Sequence, residues 1–157
     1  KKTLKGLKIA WIGDGNNVCN SMIYGAALSG AKMSIATPKG FEPDKSTVKV
    51  SQNLTDIELT TDPLKAAENA DVVVTDTYSS IHNDDSKRIK KFIPKYQVND
   101  KIMDLAKKNA IFLHCLPAKR DQEVTSSVID GPQSVVWDEA ENRLHTQKAL
   151  LCALLHA

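Results

Sequence analysis

Asp71-Val72-Val73-Val74-Thr75 is the stretch from which the fold can be read. Three valines and a threonine in a row leave no polar face, so both sides of this segment must be covered. That pattern fits an interior strand of a parallel sheet, because crossover helices cover both of its faces. The strand exits into Asp76-Thr77-Tyr78-Ser79-Ser80, an abrupt change to polar residues.

Short apolar runs alternate with helical stretches on either side. Upstream, Leu7–Ile12 reads as a first strand ending at Gly13-Asp14-Gly15. Val18–Leu28 carries small and apolar residues at helical spacing, and Gly30 is a natural stop. Lys32–Ala36 is a second strand, closed by Thr37-Pro38-Lys39-Gly40, and residues 44–53 are weakly helical. Ile57–Thr60 makes a third strand. Asp62-Pro63 then starts a short helix, with a capping side chain and a proline in its first turn. Downstream, after a long polar loop, Asn99–Lys108 is helical and Ala110–Leu113 is a fifth strand. Ser134–Trp137 is expected as a sixth, and Glu139 onward as a helix of growing apolarity. Alternation of this kind requires right-handed crossovers. The expected fold class is α/β: a doubly wound, mainly parallel, Rossmann-like sheet with helices on both faces. The first strand should be central, with the fourth beside it. Ligands of such sheets bind beyond the carboxyl ends of the strands, where strand order reverses.

Bulk properties narrow the function classes. A chain of 157 residues suits one domain, and 41% hydrophobic with 25% charged residues is ordinary for a globular protein. A formal net charge of +2 is too small to argue for nucleic acid or an anionic membrane. The densest basic run, Lys87, Arg88, Lys90 and Lys91, reads as a solvated helix face balanced by Asp84 and Asp85. Cys19, Cys115 and Cys152 lie far apart, with no CxxC pair and no His/Cys cluster at metal spacing. Neither a disulfide framework nor a structural metal is expected, and a reducing, cytoplasmic setting fits. No apolar run reaches the roughly 20 residues that span a bilayer. The charged start, Lys1 to Lys8, does not resemble a signal peptide, although an upstream transit peptide and organelle matrix stay open.

The chemistry should lie in three loops. After the first strand, Gly13-Asp14-Gly15-Asn16-Asn17 combines a glycine turn with a helix N-terminus, where free N–H groups suit an anion. The Asn17 amide could serve the carboxylate of a zwitterion. A dinucleotide fingerprint fits badly: its third glycine position holds Val18, and the second strand ends in Ala36-Thr37 without an acid for a ribose. After the fourth strand, Asp76 either holds an ammonium group or caps its own loop. After the fifth, His114-Cys115-Leu116-Pro117 offers a candidate activated thiol, against the commoner reading of an inert packing cysteine. Cys19 and Cys152 are assigned to the core. Arg143, near the start of the last helix, either polarises a carbonyl or binds phosphate, or else pairs with Glu139 four residues before it.

Taken in order, GDGNNVCNS (13–21), ATPKGFEPD (36–44), VVVTDT (72–77), HCLPA (114–118) and DEAENRLHTQKA (138–149) resemble the carboxyl-terminal, ornithine-binding domain of the ornithine carbamoyltransferases. The resemblance runs from about Leu4 to the end. It implies a single ornithine-binding domain over residues 1–157, with the carbamoyl-phosphate-binding domain absent from this chain. It also implies carbamoyl transfer from carbamoyl phosphate to the side-chain amine of L-ornithine, in arginine metabolism, by a homotrimer without a cofactor. By motif match, Asn17 and Asp76 would hold the amino acid's α-carboxylate and α-ammonium, helped by Ser80 and the backbone at Ile81. Cys115 and the Leu116 carbonyl would lie beside the attacking amine, and Arg143 would face the carbamoyl oxygen. Two departures stand out. The family's Ser-Met-Gly reads Ser80-Ile81-His82 here, which leaves open another amine, such as putrescine or an acylated ornithine, or a non-catalytic paralogue. The family's Ser-Thr-Arg-Thr-Arg and His-Pro-x-Gln motifs for carbamoyl phosphate do not occur in these residues, so this chain alone is expected to be inactive.

Overall fold

The computed structural model describes residues 3–78 and 86–156. Five strands, β1 (Lys8–Ile12), β2 (Lys32–Ala36), β3 (Ile57–Thr60), β4 (Val72–Val74) and β5 (Ile111–Leu113), form one parallel sheet in the order β3-β2-β1-β4-β5. The first strand is therefore central, with β4 beside it, and Ile9 pairs with Met33 on one side and Val72 on the other. The reversal of strand order falls between β1 and β4, as expected.

Period-two alternation sorts the side chains into two cores. Ala10, Ile12 and Val73 face a layer containing Phe92, Tyr96, Ile102, Phe112 and Val128. Trp11, Val72 and Val74 face the opposite layer, with Cys19, Ile23, Met33 and Ile35. The valine run is buried on both faces, as its composition requires.

Among the described residues seven helices accompany this sheet: α1 (Asn17–Ser29), α2 (Lys45–Ser51), α3 (Pro63–Ala67), α4 (Ser86–Ile89), α5 (Asp100–Leu105), α6 (Ser126–Ile129) and α7 (Val136–Leu155). Their boundaries follow side-chain capping. Asn16, Asp44, Asp62 and Asn99 each accept a backbone N–H in the first turn of the next helix. Gly30, at φ 70°, closes α1 by donating to the Ala26 and Ala27 carbonyls.

Three expectations need correction. Ser134–Trp137 does not form a sixth strand: one bridge joins Ser134 to Phe112, and α7 starts at Val136. Asp138 and Glu139 in the first turn favour a helix N-terminus, which claims the segment before a ladder can grow. Cys19 is buried as assigned, but Cys152 is exposed on α7. Arg88 is not part of a purely solvated face. Its guanidinium bonds the Asp14 carboxylate, its Nε donates to the Tyr78 carbonyl at 2.9 Å, and it lies over the Phe41 ring at 4.9 Å. Asp84 and Asp85 lie outside the described residues. No described helix is long and apolar enough to cross a membrane.

Candidate functional site

The loops after β1, β4 and β5 meet at the carboxyl edge of the sheet. Thr75 at the end of β4 donates its hydroxyl to the Ile12 carbonyl at 2.6 Å, locking the two strand ends together. Gly13 follows at φ 135°, and a Cβ there would stand 2.8 Å from the Tyr78 ring. Only glycine allows that ring to pack. Gly15 is equally constrained: its N–H donates to the Phe41 carbonyl at 2.8 Å, and a Cβ would fall 2.2 Å from the Pro43 nitrogen. The two glycines thus admit the chain's own side chains and backbone. Where a dinucleotide's phosphates would approach, residues 41–43 already sit.

Asn16 is the hinge of this turn. Its Oδ1 accepts the Cys19 N–H at 3.0 Å, capping α1, and its Nδ2 donates to Asp76 Oδ2 at 2.7 Å. Asn17, the residue singled out from sequence, occupies the first position of α1 with an exposed side chain. The nearer contact to Asp76 therefore belongs to Asn16. The rule that Asn is favoured immediately before a helix could have found it.

Asp76 is buried, and its second oxygen, Oδ1, accepts the Thr77 N–H at 2.8 Å and faces Cys115 Sγ at 3.3 Å. Both sequence readings are thus present in one side chain: it caps its own loop and it presents a carboxylate to the edge. The Cys115 thiol is pushed up to about 12 by burial first, then by the Asp76 charge, with Glu139 adding to it. That environment opposes thiolate formation, and the thiol stands as a donor to Asp76.

The HCLP turn has its own support. Leu116 N–H donates to His114 Nδ1 at 3.0 Å, which makes Nδ1 an acceptor and leaves the ring proton on Nε2. Nε2 points to Glu123 Oε1 at 3.2 Å, which also takes the Lys119 N–H at 2.7 Å. His114 and Glu123 are fully buried. Leu116 has φ 55°, a left-handed conformation that costs a non-glycine residue energy, and the His114–Leu116 bond holds it there. Asp76, His114 and Cys115 bring ligand-type atoms within 4.8 Å of one another. Both His114 nitrogens are already engaged, so this trio is a poor metal cradle as it stands.

Arg143 is exposed on α7 and lines a cavity of about 470 Å³ together with Cys115, Leu116, Arg120 and Trp137. It does not pair with Glu139. The Glu139 carboxylate turns inward and accepts the His114 N–H at 2.9 Å, and burial raises its carboxyl above the usual range. The alternative expectation of a Glu139–Arg143 pair is thus not met, and Glu123 carries no expectation from its sequence context. Ser80 and Ile81 lie outside the described residues, and so does His82.

Residues 5–154 match the family model for aspartate/ornithine carbamoyltransferase, Asp/Orn binding domain. The chain belongs to this family. Among curated relatives, the chain is 61% identical over 154 residues to the ornithine carbamoyltransferase of Cenarchaeum symbiosum, covering 98% of this chain and 51% of that protein. It is 51% identical over 162 residues to the ornithine carbamoyltransferase of Carboxydothermus hydrogenoformans, covering 99% and 52%. Among solved structures, ornithine carbamoyltransferase from Pyrococcus furiosus is 47% identical with a TM-score of 0.89, covering 95% of this chain and 50% of that one. The Thermus thermophilus enzyme gives 44% and 0.87, with 98% and 50% covered. The chain thus spans about half the length of the curated relatives it matches.

Proposed function

We propose that this chain is the ornithine-binding half of an ornithine carbamoyltransferase, which transfers a carbamoyl group from carbamoyl phosphate to the side-chain amine of L-ornithine. The observation that carries the reading is the Asp76–Cys115 contact of 3.3 Å, opening beside a cavity that Arg143 also lines. A buried carboxylate flanked by amide and thiol donors suits an ammonium group. In this reading Asn17 and Asp76 hold the α-carboxylate and α-ammonium, helped by Ser80 and the Ile81 backbone. Cys115 and the Leu116 carbonyl stand beside the side-chain amine.

That amine has an ordinary pKa near ~10.4 and must lose a proton before it can attack. The neutral nitrogen then bonds to the carbamoyl carbon, the carbon–oxygen bond to phosphate breaks, and inorganic phosphate leaves with that electron pair and takes up the proton that the nitrogen sheds in becoming an amide. Arg143 offers a fixed positive charge to the oxyanion that develops on the carbamoyl oxygen. The chain contributes no Ser-Thr-Arg-Thr-Arg loop for the phosphate. Turnover therefore needs a carbamoyl-phosphate-binding half, and the complete enzyme is a homotrimer of arginine metabolism, cytoplasmic or in an organelle matrix.

A chimera tests this. Fused behind the first half of the Cenarchaeum symbiosum relative, the chain should yield citrulline from L-ornithine, whereas the 157-residue chain alone should not. Preference for putrescine or an acylated ornithine would reassign the amine. No product with any amine would leave a non-catalytic domain.

A further inference from the structure

The last helix is held to the domain by very little. Of its 20 residues, Val136 is the buried one. The other side-chain hydrogen bonds of α7, such as Asn142 to the Asp138 carbonyl and His145 to Glu141, stay within the helix. Among the described residues, one α7 side chain bonds another element: Glu139, whose Oε2 receives the His114 N–H at the end of β5. One turn further along α7 stands Arg143, and one residue beyond His114 stands Cys115. Those two side chains share a cavity.

We propose that Glu139 is a positioning residue of the carbamoyl-transfer site, docking the first turn of α7 on β5 so that Arg143 is held across the cavity from Cys115. This inference rests on the function proposed above for that cavity. Without the carboxylate, a helix about 30 Å long would rest on Val136 and on the backbone bonds of the segment before it, Val135 N–H to the Phe112 carbonyl and Phe112 N–H to the Gln133 carbonyl. A displacement of about 1 Å in a charge-stabilising group is enough to cost much of its effect on rate. A peripheral helix cap would do no more than hold α7. Glu139 also brings its negative charge to the thiol, which faces Asp76 from β4, His114 on its own strand, and Arg120 and Arg143 from the cavity wall.

The 157-residue chain in a Cys152→Ser background allows both roles to be read, since Cys19 is buried and Cys115 is then the reactive thiol. Glu139→Gln keeps an oxygen that can accept the His114 N–H but removes the charge; Glu139→Ala removes both. Hydrogen exchange of the His114 amide should quicken at least ~10-fold in the alanine variant and stay within about twofold of the parent in the glutamine variant. The pH profile of Cys115 alkylation by iodoacetamide should move down by roughly half a unit in the glutamine variant, about threefold faster at pH 8.5. Unchanged His114 exchange in the alanine variant would overturn the docking. An unmoved alkylation profile in the glutamine variant would reduce Glu139 to a helix cap. Neither readout uses L-ornithine, so a chain that passes both tests yet binds no amino acid would sink the functional reading and leave the positioning intact.

Discussion

Asp76 and Cys115 leave the carboxyl ends of adjacent strands, and their Oδ1 and Sγ atoms lie 3.3 Å apart. Because β4 and β5 run parallel in register, from Val72 opposite Ile111 to Val74 opposite Leu113, two side chains placed just past their ends must meet. The sheet therefore supplies the juxtaposition, and the loops supply its chemistry: Asn16 on one side of the carboxylate, the thiol on the other.

The first prediction concerns the thiol. Burial and the neighbouring Asp76 charge both favour its neutral form, so thiolate should be scarce near pH 8 and increase only as pH approaches about 12. Alkylation of Cys115 should accordingly be slow at neutral pH and rise steeply in alkali. Asp76→Asn removes one of those charges and should speed the reaction about 10-fold at pH 8, a shift of roughly one unit. A rate that already plateaus by pH 8 in the parent would show an activated thiol after all.

Adjacent asparagines should behave differently. Asn16→Ala loses the cap of α1 and a partner of Asp76, and should cost about 1–2 kcal/mol in denaturant unfolding. Asn17→Ala, with its side chain exposed, should stay within about 0.5 kcal/mol of the parent and affect amino-acid binding alone. Equal losses would mean that the turn is built differently.

Much of this arrangement was legible in the sequence, for identifiable reasons. Valines 72–74 read as interior strand, and the alternation of strands and helices on either side of them implies the crossovers and the functional edge. Asp76 and Cys115 are legible because each follows the end of such a strand. Asn16 is not distinguishable from its neighbour, because spacing alone does not say which asparagine caps and which projects. Helical spacing offers Arg143 as a partner for Glu139; the competing partner, the His114 N–H just past β5, lies 25 residues away in sequence and leaves no local signature. Glu123 was missed for the same reason, since its meaning depends on a buried imidazole brought beside it by the turn at Leu116.

That buried pair makes a stability prediction. Glu123 Oε1 takes bonds from the fully buried His114 ring and from the Lys119 backbone, and the imidazole has no water to replace it. Glu123→Ala should cost about 2–4 kcal/mol by denaturant titration, from the stranded His114 donor and the cavity together. It should also loosen Leu116 and with it the Cys115 turn. A loss below about 1 kcal/mol would show that the network contributes little.

Surface chemistry gives a further expectation. Leu150, Leu151, Leu154 and Leu155 on α7 are all more than half exposed, and an apolar trough of about 390 Å³ lies between Leu4, Met22, Val74 and Leu113. Exposed apolar area of this extent favours association. Sedimentation of the chain at rising concentration should show self-association, reduced by Leu151→Glu and Leu155→Glu together. A monomer that binds no hydrophobic dye at high concentration would count against it.

The most direct test is a titration of the isotopically labelled chain with L-ornithine, followed through its backbone amide resonances. Saturable shifts centred on Asn17, Thr77, Cys115 and Leu116, lost in Asp76→Asn and weak with an amine lacking the α-carboxylate, are the predicted result. Shifts confined to another cavity, such as the one lined by Lys95 and Asn99, or none at millimolar ligand, would contradict an amino-acid site at this edge.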